Sequence, residues 1–162
     1  MWRPYARVTF HGKTVNRRTR AMLRLVEADL GYELTITQGS YNTGVGASAG
    51  THDGGGAVDL TDYDWQRKLN AAKRAGFAAW YRRYIPGLWP AHLHLVALAD
   101  REAAPLAKLQ MKAYRAGYDG LGYINPQTGV SAARDSEPWR PHPIPVFTHK
   151  RYRRQLRQAR RR

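Results

Sequence analysis

The stretch from residue 39 to residue 56, GSYNTGVGASAGTHDGGG, limits this chain most. It is Gly, Ser, Ala and Thr with little bulk and no hydrophobic period, so it reads as one long loop. A loop of this length inside a compact domain is functional or disordered. The chain on either side is patterned. Residues 5–10 read as a strand, and His11-Gly12-Lys13 as a turn. Asn16 or Thr19 caps a helix that places Leu23, Val26 and Leu30 on one face and stops at Gly31. Residues 32–38, YELTITQ, alternate as a half-buried strand with Leu34 and Ile36 on one side.

Beyond the loop, residues 57–61 (AVDLT) read as a short strand. Asp64 caps a helix from Trp65 to Ala75, ended by Gly76. Residues 78–82 and 91–98 are strands separated by a turn at Ile85-Pro86-Gly87, and residues 104–116 are a helix with Pro105 in its first turn. Helices alternate with hairpin-like strand pairs, so the fold class expected is α+β with a small, mainly antiparallel sheet. Residues 1–120 form the expected domain, with a basic N-terminal arm. Residues 121–149 hold five prolines and read as irregular wrapping or linker, and residues 150–162 as a basic tail.

Composition narrows the classes further. With 43% apolar and 11% aromatic residues in 162, the chain can build a core, which excludes global disorder. It has no cysteine, which excludes a disulfide framework, a thiolate zinc site, an iron–sulfur cluster and a cysteine nucleophile. No apolar run approaches a membrane span, and the N-terminal residues, with no apolar stretch after them, do not read as a Sec signal peptide. The net charge of +15 favours polyanions as partners. It is uneven: residues 150–162 hold eight basic side chains and no acid, and the first 24 residues hold seven more with no acid.

Two segments carry chemistry. In His52-Asp53-Gly54-Gly55-Gly56-Ala57-Val58-Asp59, glycines let the backbone approach closely enough for an imidazole and a carboxylate to converge. Asp59 lies between Val58 and Leu60, and a carboxylate buried there needs a compensating cation. In Ala91-His92-Leu93-His94, the two histidines lie two apart on a strand and so project from one face. His52, Asp59 and one of these two histidines make the three-ligand set of a catalytic zinc site.

The pair HDGGGAVDL and AHLHLV resembles the LAS zinc peptidases, a group of D-Ala-D-Ala carboxypeptidases, phage L-alanyl-D-glutamate endolysins and the hedgehog signalling domain. The likeness covers roughly residues 18–100, and QGSYNTGVGASAGTHDGGGAVDL with the later AYRAGYDGL is similar to peptidase domains of actinobacteriophage endolysins. It implies a hedgehog/DD-peptidase-like fold with one zinc per chain, held by His52, Asp59 and His94. It also implies His92 as the catalytic histidine beside the metal and Gln38 as a donor to the substrate. The function implied is hydrolysis of an amide bond of the peptidoglycan stem peptide or cross-bridge, with zinc-bound water as nucleophile. Two positions depart from the family pattern. Ala91 stands where some members have a general-base carboxylate, which places this chain with the H-x-H subgroup. Gly50 stands where the pattern has serine, with Ser48 and Thr51 nearby.

Trp89 and Tyr81 are candidates to line the cleft, whereas Trp80 reads as core. The basic ends are expected to hold anionic wall polymers or anionic lipid; the tail reads either as a helix with Tyr152, Leu156 and Ala159 on one weakly apolar stripe or, in isolation, as a solvated, frayed segment. Nucleic acid is not expected as the specific partner, and a monomer is expected. Lack of a signal peptide fits a phage lysin released through a holin. The alternative function is a catalytically silent, zinc-stabilised wall-binding module.

Overall fold

The computed structural model describes residues 1–122 and 133–159, without the side chains of 155–157 and 159. Parts of the proline-rich segment and of the basic tail, and the apolar stripe expected at Leu156 and Ala159, therefore lie outside the described residues. The chain begins with a hairpin, β1 (Arg7–Phe10) and β2 (Lys13–Asn16), followed directly by α1 (Arg17–Leu30). The turn expected at residues 11–13 is this hairpin's connection, with His11 and Gly12 both at positive φ. Asn16 caps α1: its side chain accepts from Thr19 N, and Gly31 closes the helix in the left-handed region.

Four strands form the main sheet, in the order β3 (Ile36–Gln38), β4 (Ala57–Thr61), β6 (His92–Ala97), β5 (Phe77–Arg82), all antiparallel. α2 (Trp65–Ala75) joins β4 to β5, and α3 (Pro105–Ala116) follows β6. The chain is thus an α+β domain with antiparallel sheets and four α-helices among the described residues, the fourth being α4 (His149–Ala159).

Side-chain alternation gives the sheet two different faces. Val58, Leu60, Phe77, Ala79, Leu93 and Leu95 point to the side covered by α1 and α2, where Met22, Leu23, Val26 and Leu69 complete the larger core. Ala78, Trp80 and Val96 point the other way and pack with Ala107, Met111 and Tyr114 of α3. α3 covers only part of this second face. The remainder carries Asp59, Arg82, His92 and His94.

Three local expectations are corrected. The strand expected at 32–38 shortens to Ile36–Gln38. Leu34 N is taken by Glu27 Oε1 at 3.0 Å, although Leu34 and Ile36 are buried as their alternation requires. Asp64 occupies the cap position of α2 but makes no capping hydrogen bond. Its carboxylate accepts from Tyr32 and Arg67 instead. Residues 150–159 are not a frayed tail: α4 lies against α1, and Tyr152 packs on the core beside buried Phe147. No described helix is long and apolar enough to cross a membrane.

Candidate metal centre

The long loop is held down at its C-terminal end by close backbone approach. A Cβ on Gly54 would stand 2.2 Å from Glu102 O, and Gly56 has φ of +84°. Gly55 N donates to Glu102 O at 2.7 Å, and Tyr41 N to Gly54 O at 2.9 Å. The glycine run is therefore a contact surface as well as a turn, and it fixes His52 over the first residues of β4. Within the loop only Gly46–Ser48 forms a regular turn of 3-10 helix.

A β-bulge brings Gln38 to the same place. Ile36 pairs with Leu60, whereas Gln38 pairs with Asp59, so two residues of β3 advance the register by one on β4. Ile36 accordingly joins the core, while Gln38 shares the face of Asp59. Without the bulge, strict alternation would place Ile36 and Gln38 on one side.

His52, Asp59 and His94 converge, with one ligand atom from each lying within 4.8 Å of the others. Asp59 Oδ1 is 3.2 Å from His52 Nε2 and 2.8 Å from His94 Nδ1. The far nitrogens are both engaged. His52 Nδ1 donates to Gly39 O at 2.9 Å, and His94 Nε2 donates to Gln110 Oε1 at 2.8 Å. A neutral imidazole has one N–H, so these bonds leave lone pairs on His52 Nε2 and His94 Nδ1. Both lone pairs then face a carboxylate oxygen. His52 Nε2 is buried and has no hydrogen-bond partner. Two lone pairs and an anion directed at one point repel unless a cation or added protons lie between them. This buried group can hold a metal ion, and its donors suit one: two imidazole nitrogens and a carboxylate oxygen.

The electrostatics follow from the same contacts. Burial works against the Asp59 carboxylate, but the His52 and His94 rings beside it outweigh burial and hold it well below the usual carboxylate range. Burial also opposes charge on His52, yet Asp59 and the Gly39 carbonyl raise it above the ordinary 6.5. His94 is lowered, because burial there exceeds the pull of Asp59.

His92 stands at the mouth of the site. Its Nδ1 donates to Pro90 O at 2.7 Å, and its Nε2 is 3.9 Å from Asp59 Oδ2. Gln38 donates from Nε2 to Ser48 Oγ at 3.3 Å. All five residues singled out in the sequence line one cleft of about 440 Å³, together with Ser48, Thr51 and Trp89. Trp89 sets its ring edge-to-face on His92, with centroids 6.0 Å apart. Tyr81 does not line the cleft. Alternation along β5 turns it to the α2 side, where it stacks on Trp65 at 4.4 Å. Trp80 is core, only 1% exposed, with its ring stacked near that of His94.

Sequence reasoning passed over two residues. Gln110 orients His94 from α3; it is a polar side chain in the buried stripe Ala107, Gln110, Met111, Tyr114, and that break in the apolar pattern was its signal. Arg82 also lines the cleft. It continues the face of Ala78 and Trp80, so period two along β5 could have found it. Burial lowers its guanidinium to about 10, still charged at neutral pH. Gln110→Leu removes the acceptor from His94 Nε2 at similar volume. Metal affinity is expected to fall about 10- to 100-fold, measured by competition with a chelating dye. Unchanged affinity would show that Gln110 does not orient the ligand.

No family model, curated protein or solved structure matches the chain.

Proposed function

We propose that the chain is a zinc-dependent peptidoglycan peptidase with a hedgehog/DD-peptidase-like fold, hydrolysing an amide bond of the stem peptide or cross-bridge. The observation that carries this reading is the convergence of His52, Asp59 and His94 at the floor of an open cleft, beside His92 and Gln38. Zinc held by His52 Nε2, Asp59 Oδ1 and His94 Nδ1 would supply Lewis acidity and an ionised water near neutral pH.

The chain's own residues supply the rest. Gly39 O and Gln110 Oε1 hold the two ligand imidazoles in the tautomers that present lone pairs. Pro90 O does the same for His92, leaving Nε2 directed at the site. In this reading His92 Nε2 would take the proton given up by the attacking water, and the imidazolium so formed would stabilise charge on the attacked carbonyl oxygen and pass that proton to the leaving amine. Gln38 keeps its amide at the cleft wall through Ser48, where it can donate to a substrate carbonyl. Trp89 and Val45 supply apolar wall for the peptide. The basic α4, with Lys150, Arg151, Arg153 and Arg154, supports attraction to an anionic wall polymer.

The absence of a carboxylate at Ala91 supports a second reading, a zinc-stabilised wall-binding module. One experiment separates the two: mass spectrometry of purified peptidoglycan incubated with the zinc-loaded protein, with and without chelator. New chelator-sensitive peptide ends are expected, and they identify the bond. An unchanged digest across Gram-positive and Gram-negative walls would overturn the peptidase reading in favour of the binding module.

A further inference from the structure

The triad and His92 leave two charged groups of the cleft without a role, Asp62 and Arg82, of which Asp62 is exposed and only Arg82 is buried. Arg82 closes β5 directly opposite His92, two residues beyond Trp80, which is opposite His94. Cross-strand neighbours on one face lie about 5 Å apart at Cβ, so the guanidinium rises beside the candidate metal centre. The residue is only 6% exposed. Its guanidinium lies over the Trp80 ring, with Cζ 5.1 Å from the ring centroid. Its Nη2 is buried and has no hydrogen-bond partner among the described residues. Asp119, Asp59 and Asp135 act on it through space. Of these, Asp59 is committed to the two ligand imidazoles.

A buried guanidinium with a free N–H is costly, because the donor has left water without replacing its hydrogen bonds. Among the described residues Arg82 is such a group, at the wall of an open cleft that Leu88, Trp89 and Leu121 also line. The planar fork of arginine matches a carboxylate, and charge-assisted bonds gain strength where the surroundings are apolar. We propose that Arg82 binds a carboxylate of the substrate, so that the cleft selects peptides bearing a free carboxylate close to the bond that lies over the triad. The proposal rests on the peptidase reading for what the carboxylate belongs to; the anion site itself does not.

The test uses acetyl-alanyl-alanine and its C-terminal amide as probes, titrated into metal-free protein so that a carboxylate cannot gain from zinc. The wild type is expected to bind the acid about tenfold or more tightly than the amide. Arg82→Gln is expected to bring that ratio close to one. Arg82→Lys, which keeps the charge but loses the fork, is expected to retain part of it. Near-UV circular dichroism establishes whether the Gln variant is folded; if it is not, the Lys variant decides. Equal binding of acid and amide by the wild type overturns the proposal, as does an unchanged ratio in the folded variant. The wall digest stands apart from this assay. Acid preference without any digestion leaves Arg82 as an anion site and removes the peptidase; digestion without acid preference does the reverse.

Discussion

Asp59→Asn is expected to lower metal affinity about a hundredfold or more while leaving the protein folded. Both halves follow from the tautomers. With Gly39 O and Gln110 Oε1 each taking an imidazole N–H, His52 Nε2 and His94 Nδ1 face residue 59 with lone pairs. The carboxylate of Asp59 offers those lone pairs no donor. An asparagine amide does offer N–H groups, so the metal-free variant gains hydrogen bonds at nearly unchanged volume. The same substitution removes the only formal negative charge among the three candidate ligands. Loss of an orienting partner of a metal ligand already costs 10- to 100-fold in affinity, so loss of a charged ligand costs at least the upper figure. Metal content after dialysis, metal competition and a thermal melt measure the effect together. An Asn variant that binds zinc as tightly as the wild type would show that the triad is not the metal centre. If wall digestion by the wild type is chelator-sensitive, the Asn variant should lose it as well.

Particular residues show what the sequence made legible. The bounds of α2 and of β4 were readable, because Gly76 and the short apolar AVDLT segment mark them without help from distant parts. Gly117 likewise marks the end of α3. Strand β2 was not readable: KTVN is too short to show a period, and its only apolar residue is Val15. The bulge at Ile36 and Gln38 was only hinted at: YELTIT alternates, polar Gln38 breaks the pattern where an apolar residue is due, and pairing with β4 reveals the shift. Asp64 had the right residue type for a cap, but Tyr32 and Arg67 compete for its carboxylate from outside the helix.

At the site, the spacing of His52, Asp59, His92 and His94 identified residues that the fold brings together. What orients them was less visible. Gly39 O is a backbone group with no sequence signature, and Gln110 lies on an element that reads as ordinary core helix. Glu102, whose backbone carbonyl receives Gly55 N, is separated from the loop by almost the whole sheet in sequence. The loop's length and glycine content set it apart in the sequence; its anchor at Glu102 is tertiary.

Metal binding is expected to release more than half a proton per ion from His52 at pH 6.5, and affinity is expected to fall as the pH is lowered further. The proton belongs to His52. Asp59 and the Gly39 carbonyl overcome burial and raise this imidazole above 6.5, so in the metal-free protein it is charged at that pH and below. Its lone pair at Nε2 becomes available only when the proton leaves. His94 is shifted the other way by burial, so it is neutral at pH 6.5 and gives up nothing there. Asp59 is held well below the carboxylate range and is ionised throughout, so it does not compete either. As the pH falls below 6.5, protonation of His52 therefore opposes the metal first, before that of His94. The sign is definite: a ligand whose folded-state pKa is raised opposes the metal below that pKa and ceases to oppose it above. Calorimetric titration of zinc in buffers of differing ionisation enthalpy counts the protons. A count near two at pH 6.5 would mean that both imidazoles are charged and that Asp59 compensates both. A count near zero would mean that His52 presents a free lone pair already, and that its contact with Asp59 does not hold a proton.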